Sequence, residues 1–187
     1  MKYPPVIALA GPAGAGKSTA AAYLVREHGY TLVKFAAGLK AMLRLIGLTD
    51  AHIEGHLKEV PCKLLCGRTP RHAMQTLGSE WGRDLIGADL WANVWLDTAA
   101  DVLDQGGRVV VDDCRFENEA AKVRELGGIV VRLDGRAGGA GGAHPSEAGL
   151  LVVDCTLENV GSVKDLEERL GGALNLGRFC IRSGDPK

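Results

Sequence analysis

The stretch Gly11-Pro-Ala-Gly-Ala-Gly-Lys-Ser18 constrains this chain more than any other segment. It satisfies the pattern G-x-x-x-x-G-K-[ST] and lies between an apolar run, Val6–Ala10, and an amphipathic segment that begins at Lys17. Glycines allow backbone N–H groups to turn inward and approach phosphate oxygens, where a Cβ would often clash. We therefore predict a strand, a phosphate-binding loop and a helix whose positive end faces the phosphates.

Each residue type in this loop has a chemical reason. Lys17 would reach the β- and γ-phosphates of a nucleotide, and Ser18 would place its hydroxyl on Mg²⁺. The phosphate-binding loop predicts nucleotide binding but not a particular reaction, because nucleotide-dependent switches, motors, hydrolases and kinases all contain it. The loop residues assigned to ATP are Gly11, Ala13, Gly14, Ala15, Gly16, Lys17, Ser18 and Thr19.

Composition bounds the class of protein. The 187 residues are 46% hydrophobic and 24% charged, which suits one globular domain. The formal net charge of −1 gives no basic surface for nucleic acid. No segment approaches the ~20 apolar residues that cross a membrane. Five scattered cysteines predict a reducing cytoplasm and no disulfide framework.

Alternating apolar and amphipathic segments predict a parallel sheet with helices on both faces. The predicted strands are Val6–Ala10, Thr31–Phe35, Arg108–Asp113, 128–133 and Val153–Glu158. The predicted helices are Lys17–Glu27, Gly38–Ile46, Pro70–Gly82, Leu90–Gln105, Asn118–Leu126 and one that starts with a capping box at Ser162 and Asp165.

Motifs of several other nucleotide-binding classes are missing from the sequence. It has no N-K-x-D motif, which recognises guanine in GTP-driven switches, and no L-S-G-G-Q signature of transport ATPases. Motor and partition ATPases usually end their Mg²⁺ strand in Asp-Glu, whereas this chain reads Asp112-Asp113-Cys114 with no Glu before Glu117. These absences favour an enzyme that moves the γ-phosphoryl group to a small acceptor.

Three later segments match the motifs of one kinase family: "VVVDDCRFENEAAKVRELGGIVVRL", "TPRHAMQTLGSEWGRDLIGADLW" and His144–Glu147. In this order they resemble the D-V-R-F-x-N-E signature, the arginine-containing helix and the His-x-Ser-Glu of phage-type deoxynucleoside monophosphate kinases. "FAAGLKAML" and "DCTLENVGSVKDLEERL" are similar to two further family segments, so matches run in order over about residues 6–170. The resemblance implies a single P-loop kinase domain (1–187), a five-stranded parallel sheet, an acceptor-binding insertion at about 38–90, a short glycine-rich lid at about 134–144, and a phage or prophage origin.

The resemblance also implies an acceptor site. Arg71 and Gln75 are one helical turn apart and share a face. Arg71 would hold the monophosphate with its planar fork, and the Gln75 amide would read a base edge. The alternative for these residues is a solvated polar helix face. The residues assigned to the acceptor are Lys40, Arg71, Gln75 and Arg83.

Asp113 aligns with the strand-end Asp of the family, which implies that it holds Mg²⁺ together with Ser18. Strand alternation would then point Asp112 to the opposite face; in the alternative, both carboxylates only cap the following turn. Arg115 would touch phosphate or pair with a nearby glutamate. The catalytic assignments are Lys17, Asp113, Arg115 and Arg136, and Asn159 is assigned to the nucleotide.

Two other clusters have structural alternatives. His52, His56, Cys62 and Cys66 suggest zinc, but their spacing is not that of a standard finger. The tryptophans at 81, 91 and 95 are expected to pack in a core.

We therefore expect an ATP- and Mg²⁺-dependent kinase for a deoxynucleoside monophosphate, active as a monomer or homodimer, with no nucleic-acid or membrane partner. "GPAGAGKST" also resembles cytidylate kinases, and the end of the chain resembles dephospho-coenzyme A kinases. A third alternative is a regulatory module that binds ATP without phosphorylating a substrate. Such a module has no need for Arg71, Gln75 and Arg83.

Overall fold

The computed structural model describes residues 3–135 and 152–175. The strands within them are β1 (Val6–Ala10), β2 (Thr31–Leu32), β3 (Val109–Val111), β4 (Ile129–Asp134) and β5 (Cys155–Glu158). The helices are α1 (Lys17–His28), α2 (Ala37–Leu45), α3 (Asp50–Ile53), α4 (Pro70–Thr76), α5 (Leu90–Asp104), α6 (Glu117–Glu125) and α7 (Val163–Asn175), with a 3₁₀ turn at Lys63–Leu65 and a π-helical segment at Leu77–Ile86.

All five strands are parallel and follow the order β2-β3-β1-β4-β5. β1 and β3 are buried along their whole length. A strand covered on both faces has no solvent side, so it consists of a continuous apolar run. The five-stranded parallel sheet predicted from the sequence is therefore confirmed.

The residues form two compact units. The first consists of Met1–Lys34 and Leu96–Lys187, and the second of Phe35–Trp95. In the first unit, the sheet, α1 and α7 share a core that includes Ile7, Leu24 and Leu170.

The second unit has its own core. Leu39, Leu43, Leu48, Ile53 and Trp91 are buried together there. The acceptor-binding insertion expected at about 38–90 falls inside this unit. The single kinase domain expected from the sequence stays a prediction, and most of the expected lid, with Arg136, His144 and Glu147, lies outside the described residues.

The predicted Pro70–Gly82 helix is α-helical only to Thr76 and continues as a π-helix over Leu77–Ile86. Packing accounts for this change. The indole Nε1 of Trp91 donates to the Gly78 carbonyl at 2.8 Å, and a Cβ at Gly82 would overlap the same indole. π-Helical segments are rare, and this one coincides with the two glycines that pack against the indole.

The predicted packing role is confirmed for two of the three tryptophans. Trp91 and Trp95 are buried, at 4% and 1% exposure. Trp81 is exposed, although its ring centroid lies 6.1 Å from that of Trp91.

Candidate active site

The loop after β1 has a backbone that requires glycine. Gly11, Gly14 and Gly16 have φ angles of 127°, 77° and 95°. A Cβ at Gly11 would lie 2.5 Å from the Leu133 carbonyl oxygen. The positive φ therefore favours glycine at all three positions, and at Gly11 a side chain would also overlap the backbone of β4.

The N-terminus of α1 follows this loop directly. Gly16 precedes the helix without a side-chain cap, and the first turn contains no acidic residue. The first N–H groups of a helix have no partner within the helix, and the helix dipole is positive there. This end of α1 is therefore suited to an anion such as phosphate.

The ammonium group of Lys17 lies against the loop. Its Nζ donates to the carbonyl oxygens of Gly11 at 2.8 Å and Pro12 at 2.7 Å. These contacts hold the cation at the loop, the position that the sequence pattern predicts for a phosphate-binding lysine.

The hydroxyl of Ser18 donates to Oδ2 of Asp112 at 3.0 Å. Asp112 is buried, with 5% of the residue exposed, and its carboxylate pairs with the ammonium group of Lys34. The prediction that Asp112 points away from the loop is therefore wrong. The neighbouring Asp113 is half-buried, and its assignment to Mg²⁺ stays a prediction.

The direction of Asp112 follows from the side-chain alternation of β3. Val110 belongs to the same buried cluster as Ala20 and Leu24 of α1. Asp112 lies two positions after Val110, so it continues on the face that α1 covers, where Ser18 is found. The prediction was wrong because it took Asp113, from the family alignment, as the residue on the loop side.

The buried amide of Asn159 contacts the loop itself. Its Nδ2 donates to the Ala15 carbonyl oxygen at 2.8 Å, and a Cβ at Gly16 would lie 2.5 Å from this nitrogen. Asn159 thus braces the loop through its backbone, while its assignment to the nucleotide stays a prediction.

The turn between β3 and α6 is closed by Glu119. This buried carboxylate accepts the backbone N–H groups of Arg115 at 2.8 Å and Phe116 at 3.2 Å. The last glutamate of the D-x-R-F-x-N-E pattern therefore shapes the turn that carries Asp113 and Arg115. The side chain of Arg115 is exposed.

The four residues assigned to the acceptor all lie in the second unit. Nζ of Lys40 donates to Oε1 of Glu54 at 2.7 Å, and Nε of Arg71 pairs with Glu59. Gln75 follows one turn later on α4, which contacts both α2 and α3. In the π-helical segment, Arg83 donates to the Ala88 carbonyl oxygen at 3.0 Å.

Residues 67–170 match the family model for deoxynucleotide monophosphate kinase. The chain is also 34% identical over 157 residues to a protein of Acanthamoeba polyphaga mimivirus named "Putative deoxynucleotide monophosphate kinase". That match covers 78% of this chain and 81% of the viral protein. The chain belongs to the deoxynucleotide monophosphate kinase family.

A solved structure supports the fold of this family member. TT1252 from Thermus thermophilus is similar with a TM-score of 0.54 and 20% identity, over 94% of this chain and 98% of that one. None of the helices in residues 3–135 and 152–175 has the length and hydropathy of a membrane-spanning segment.

Sequence reasoning on this kinase missed Lys34 and assigned the wrong direction to Asp112. One of the residues considered for zinc, His52, makes a local structural contact: its Nδ1 lies 2.8 Å from Oγ1 of Thr49 at the start of α3. Among the described residues, no group of three or more His, Cys, Asp or Glu could hold a metal ion by itself.

Proposed function

We propose that this enzyme transfers the γ-phosphoryl group of ATP to a deoxynucleoside monophosphate and forms the diphosphate and ADP. The observation that supports this most is the hydrogen bond from Ser18 to the buried carboxylate of Asp112, at the N-terminus of α1. It joins a phosphate-binding loop to an acidic residue at the end of a central strand.

The pair Ser18 and Asp112 has the chemistry of a Mg²⁺ site. Hydroxyl and carboxylate oxygens are the hard ligands that Mg²⁺ prefers, with phosphate oxygens and waters completing the shell. Oδ1 of Asp112 is buried and, apart from its ion pair with Lys34, has no hydrogen-bond partner within the described part of the chain. We therefore propose Ser18 and Asp112 as the metal residues. When bound, Mg²⁺ neutralises charge on the β- and γ-phosphates.

The loop would bind the triphosphate of ATP. Its backbone N–H groups and the N-terminus of α1 offer donors to phosphate oxygens. Lys17 would exchange the carbonyls of Gly11 and Pro12 for phosphate oxygens, which are stronger partners for an ammonium group.

The second unit would bind the acceptor nucleotide. Arg71 is 41% exposed and pairs with Glu59, which is 62% exposed. An exposed ion pair is weak, so a phosphate can replace Glu59 at little cost. Lys40, paired with the exposed Glu54, offers a second cation. Gln75 would read the base, and Arg83 would be a further phosphate contact.

Catalysis would consist mainly of positioning and charge neutralisation, and no covalent enzyme intermediate is expected. Lys17 would stabilise the charge that develops on the transferring group. Arg115, exposed after the turn that Glu119 closes, and Arg136, outside the described residues, are the proposed further cations.

The test is a panel of acceptors. Purified enzyme is incubated with ATP, Mg²⁺ and each deoxynucleoside or ribonucleoside monophosphate or dephospho-coenzyme A, and ADP formation is followed. We expect turnover with one or more deoxynucleoside monophosphates and none with dephospho-coenzyme A. ATP binding without any acceptor-dependent ADP formation would reject the proposal and favour a regulatory module.

A further inference from the structure

Lys34 and Asp112 are neighbours because of the register of the sheet. β2 pairs with β3 through Thr31 with Val109 and Leu32 with Val110. Continuing that register by two residues brings Lys34 beside Asp112, just beyond the last ladder pair. The N–H of Val33 donates to the Val110 carbonyl at 3.0 Å, which keeps the two chains together up to this point.

The pair is close and unequally buried. Nζ of Lys34 lies 3.0 Å from Oδ1 and 3.1 Å from Oδ2 of Asp112. The Asp112 side chain is 3% exposed, whereas that of Lys34 is 32% exposed. A carboxylate at this depth is unfavourable without a charged partner. Lys34 supplies that partner from just beyond β2, the strand on one side of β3. Ser18 donates its hydroxyl from the first turn of α1, which follows β1 on the other side.

We propose that Lys34 is a positioning residue that holds the Asp112 carboxylate in the orientation in which it meets Ser18. The ammonium group contacts both carboxylate oxygens, so it restricts rotation of the carboxylate about its last bond. The hydroxyl and the carboxylate are thereby aligned before nucleotide and metal bind. Preorganisation of this kind reduces the cost of ordering a site at the moment of binding.

Removal of Lys34 should change the contribution of Mg²⁺ to ATP binding in a direction that depends on its role. If Lys34 aligns Asp112, its removal weakens the contribution of Mg²⁺ to ATP binding. If Lys34 instead competed with the metal for Asp112, its removal would strengthen that contribution, because one positive charge would leave the site. The metal part of the inference rests on the proposed function, whereas the pairing itself does not.

The pairing is tested on the protein without nucleotide or metal. Urea unfolding is measured for wild type, Lys34→Met, Asp112→Asn and the double variant. We expect Lys34→Met to lower the midpoint clearly in the wild-type background and by less than half as much in the Asp112→Asn background, because no buried charge is then left unpaired. Equal effects in both backgrounds would overturn the inference.

Two further variants serve as controls for the urea-unfolding measurement. Lys34→Arg retains the charge and should retain most of the midpoint. Lys122→Met is the matched control, because Lys122 is 26% exposed and pairs with an exposed partner, Glu125. Its effect should be small. If Lys34→Met alone fails to fold, folding of the double variant supports the pairing and failure of both rejects it.

The positioning role is tested through the metal. ATP affinity is measured by calorimetry in EDTA and in excess Mg²⁺, and activity is titrated with Mg²⁺. Loss of a residue that orients a metal ligand typically costs about 10- to 100-fold in metal affinity. We expect Lys34→Met to raise the half-saturating Mg²⁺ by about that factor, with Kd for ATP in EDTA unchanged and kcat largely recovered at saturating Mg²⁺.

An unchanged or lower Mg²⁺ requirement in Lys34→Met would overturn the positioning role. Lys34→Arg should shift the requirement less than Lys34→Met. If the wild-type enzyme phosphorylates no acceptor, the proposed function fails, and the two calorimetric affinities still decide the role of Lys34.

Discussion

The hydroxyl of Ser18 lies 3.0 Å from Oδ2 of Asp112, although 94 positions separate the two residues along the chain. The contact joins the first turn of α1 to the end of β3, the strand between β2 and β1. In a parallel sheet, the carboxyl ends of adjacent strands meet at one edge, where ligands bind. The proposed metal side of the site therefore depends on strand order more than on any single motif.

Asp112→Asn should reduce activity more than Asp113→Asn. Asp112 contacts Ser18, and its loss removes a charged ligand from the proposed Mg²⁺ shell, which should cost about 10- to 100-fold or more in Mg²⁺ affinity. Raising Mg²⁺ should restore part of the activity of Asp112→Asn. Steady-state rates across a Mg²⁺ titration measure this. The opposite ranking would return the metal role to Asp113.

Lys17→Ala should reduce kcat/KM with every acceptor by about 100-fold or more, because a cation is lost where charge develops on the transferring phosphoryl group. The ammonium group of Lys17 donates to the loop carbonyls of Gly11 and Pro12, and a lysine in a phosphate loop contributes little to a hydrophobic core. We therefore expect a melting temperature close to that of wild type. A folded Lys17→Ala protein with near-normal turnover would contradict the assignment of the phosphate loop.

Local patterns predicted the start of the chain well. β1 coincides with the apolar run Val6–Ala10, and α1 ends at His28, one residue beyond the predicted Glu27, where Gly29 has a φ of 65°. Both features depend on residues that are adjacent in sequence. The capping box predicted at Ser162 also forms, since its N–H donates to Oδ2 of Asp165 at 2.6 Å.

Features that depend on distant contacts were not predictable in the same way. In the π-helical segment, Gly78 and Gly82 pack against the indole of Trp91, which lies outside that segment. The carboxylate of Asp112 pairs with Lys34, which follows another strand, β2. A lysine at the end of an apolar run carries no sequence signal of its partner. Only the strand register reveals it.

Gly16→Ala should damage both stability and ATP binding. The residue has a φ of 95°, and an added Cβ would lie 2.5 Å from Nδ2 of Asn159. Gly106→Ala is the matched control, because Gly106 has a φ of 77° with nothing within 4 Å of its Cβ. We expect the control to lose about 1–2 kcal/mol from backbone strain alone and to bind ATP normally.

Urea unfolding and ATP calorimetry compare the two glycine variants. Gly16→Ala should unfold at lower urea than Gly106→Ala, because it adds a displacement of the Asn159 amide to the same strain. Equal stability and equal ATP affinity in the two variants would show that the Asn159 contact does not shape the loop.

The stability of the protein should decrease between pH 6.5 and 5, in part through His28. Burial, and then the nearby Arg108, lower the pKa of His28 below its ordinary value of 6.5. The unfolded chain therefore takes up the proton more readily than the folded protein, and acidification favours unfolding. The lowered pKa of Asp165, caused first by the Ser162 N–H, affects stability at more acidic pH, as the unfolded carboxyl protonates around its ordinary pKa of 3.8.

His28→Phe tests this dependence. The variant keeps a ring against Tyr3 and Tyr23, whose centroids lie 5.4 and 5.2 Å from that of His28. It loses the contact between Nε2 and the Tyr23 hydroxyl at 3.3 Å, so its stability at pH 7.5 should be slightly lower. The fall in urea midpoint from pH 6.5 to 5 should be smaller than in wild type. An identical pH profile would exclude His28 as a cause.

The assignment of Arg71 to the acceptor is tested by comparing it with Arg44, an arginine of similar exposure at another place. Arg71 on α4 is 41% exposed and pairs with Glu59, and Arg44 on α2 is 43% exposed and pairs with Asp50. Arg71→Ala should lower kcat/KM for the acceptor by about 10- to 150-fold, the equivalent of a charge-assisted contact of ~1.5–3 kcal/mol. Arg44→Ala should change it little.

The pattern among further variants separates phosphate binding from general damage to the second unit. Arg71→Lys should recover only part of the loss, since an ammonium group keeps the charge without the planar fork. Gln75→Ala should alter the ranking of bases, because its amide would pair with a base edge and not with the phosphate. Kd for ATP should be unchanged in all of them. If Arg71→Ala and Arg44→Ala weakened the acceptor equally, or Arg71→Ala weakened ATP and acceptor alike, α4 would not be the acceptor helix.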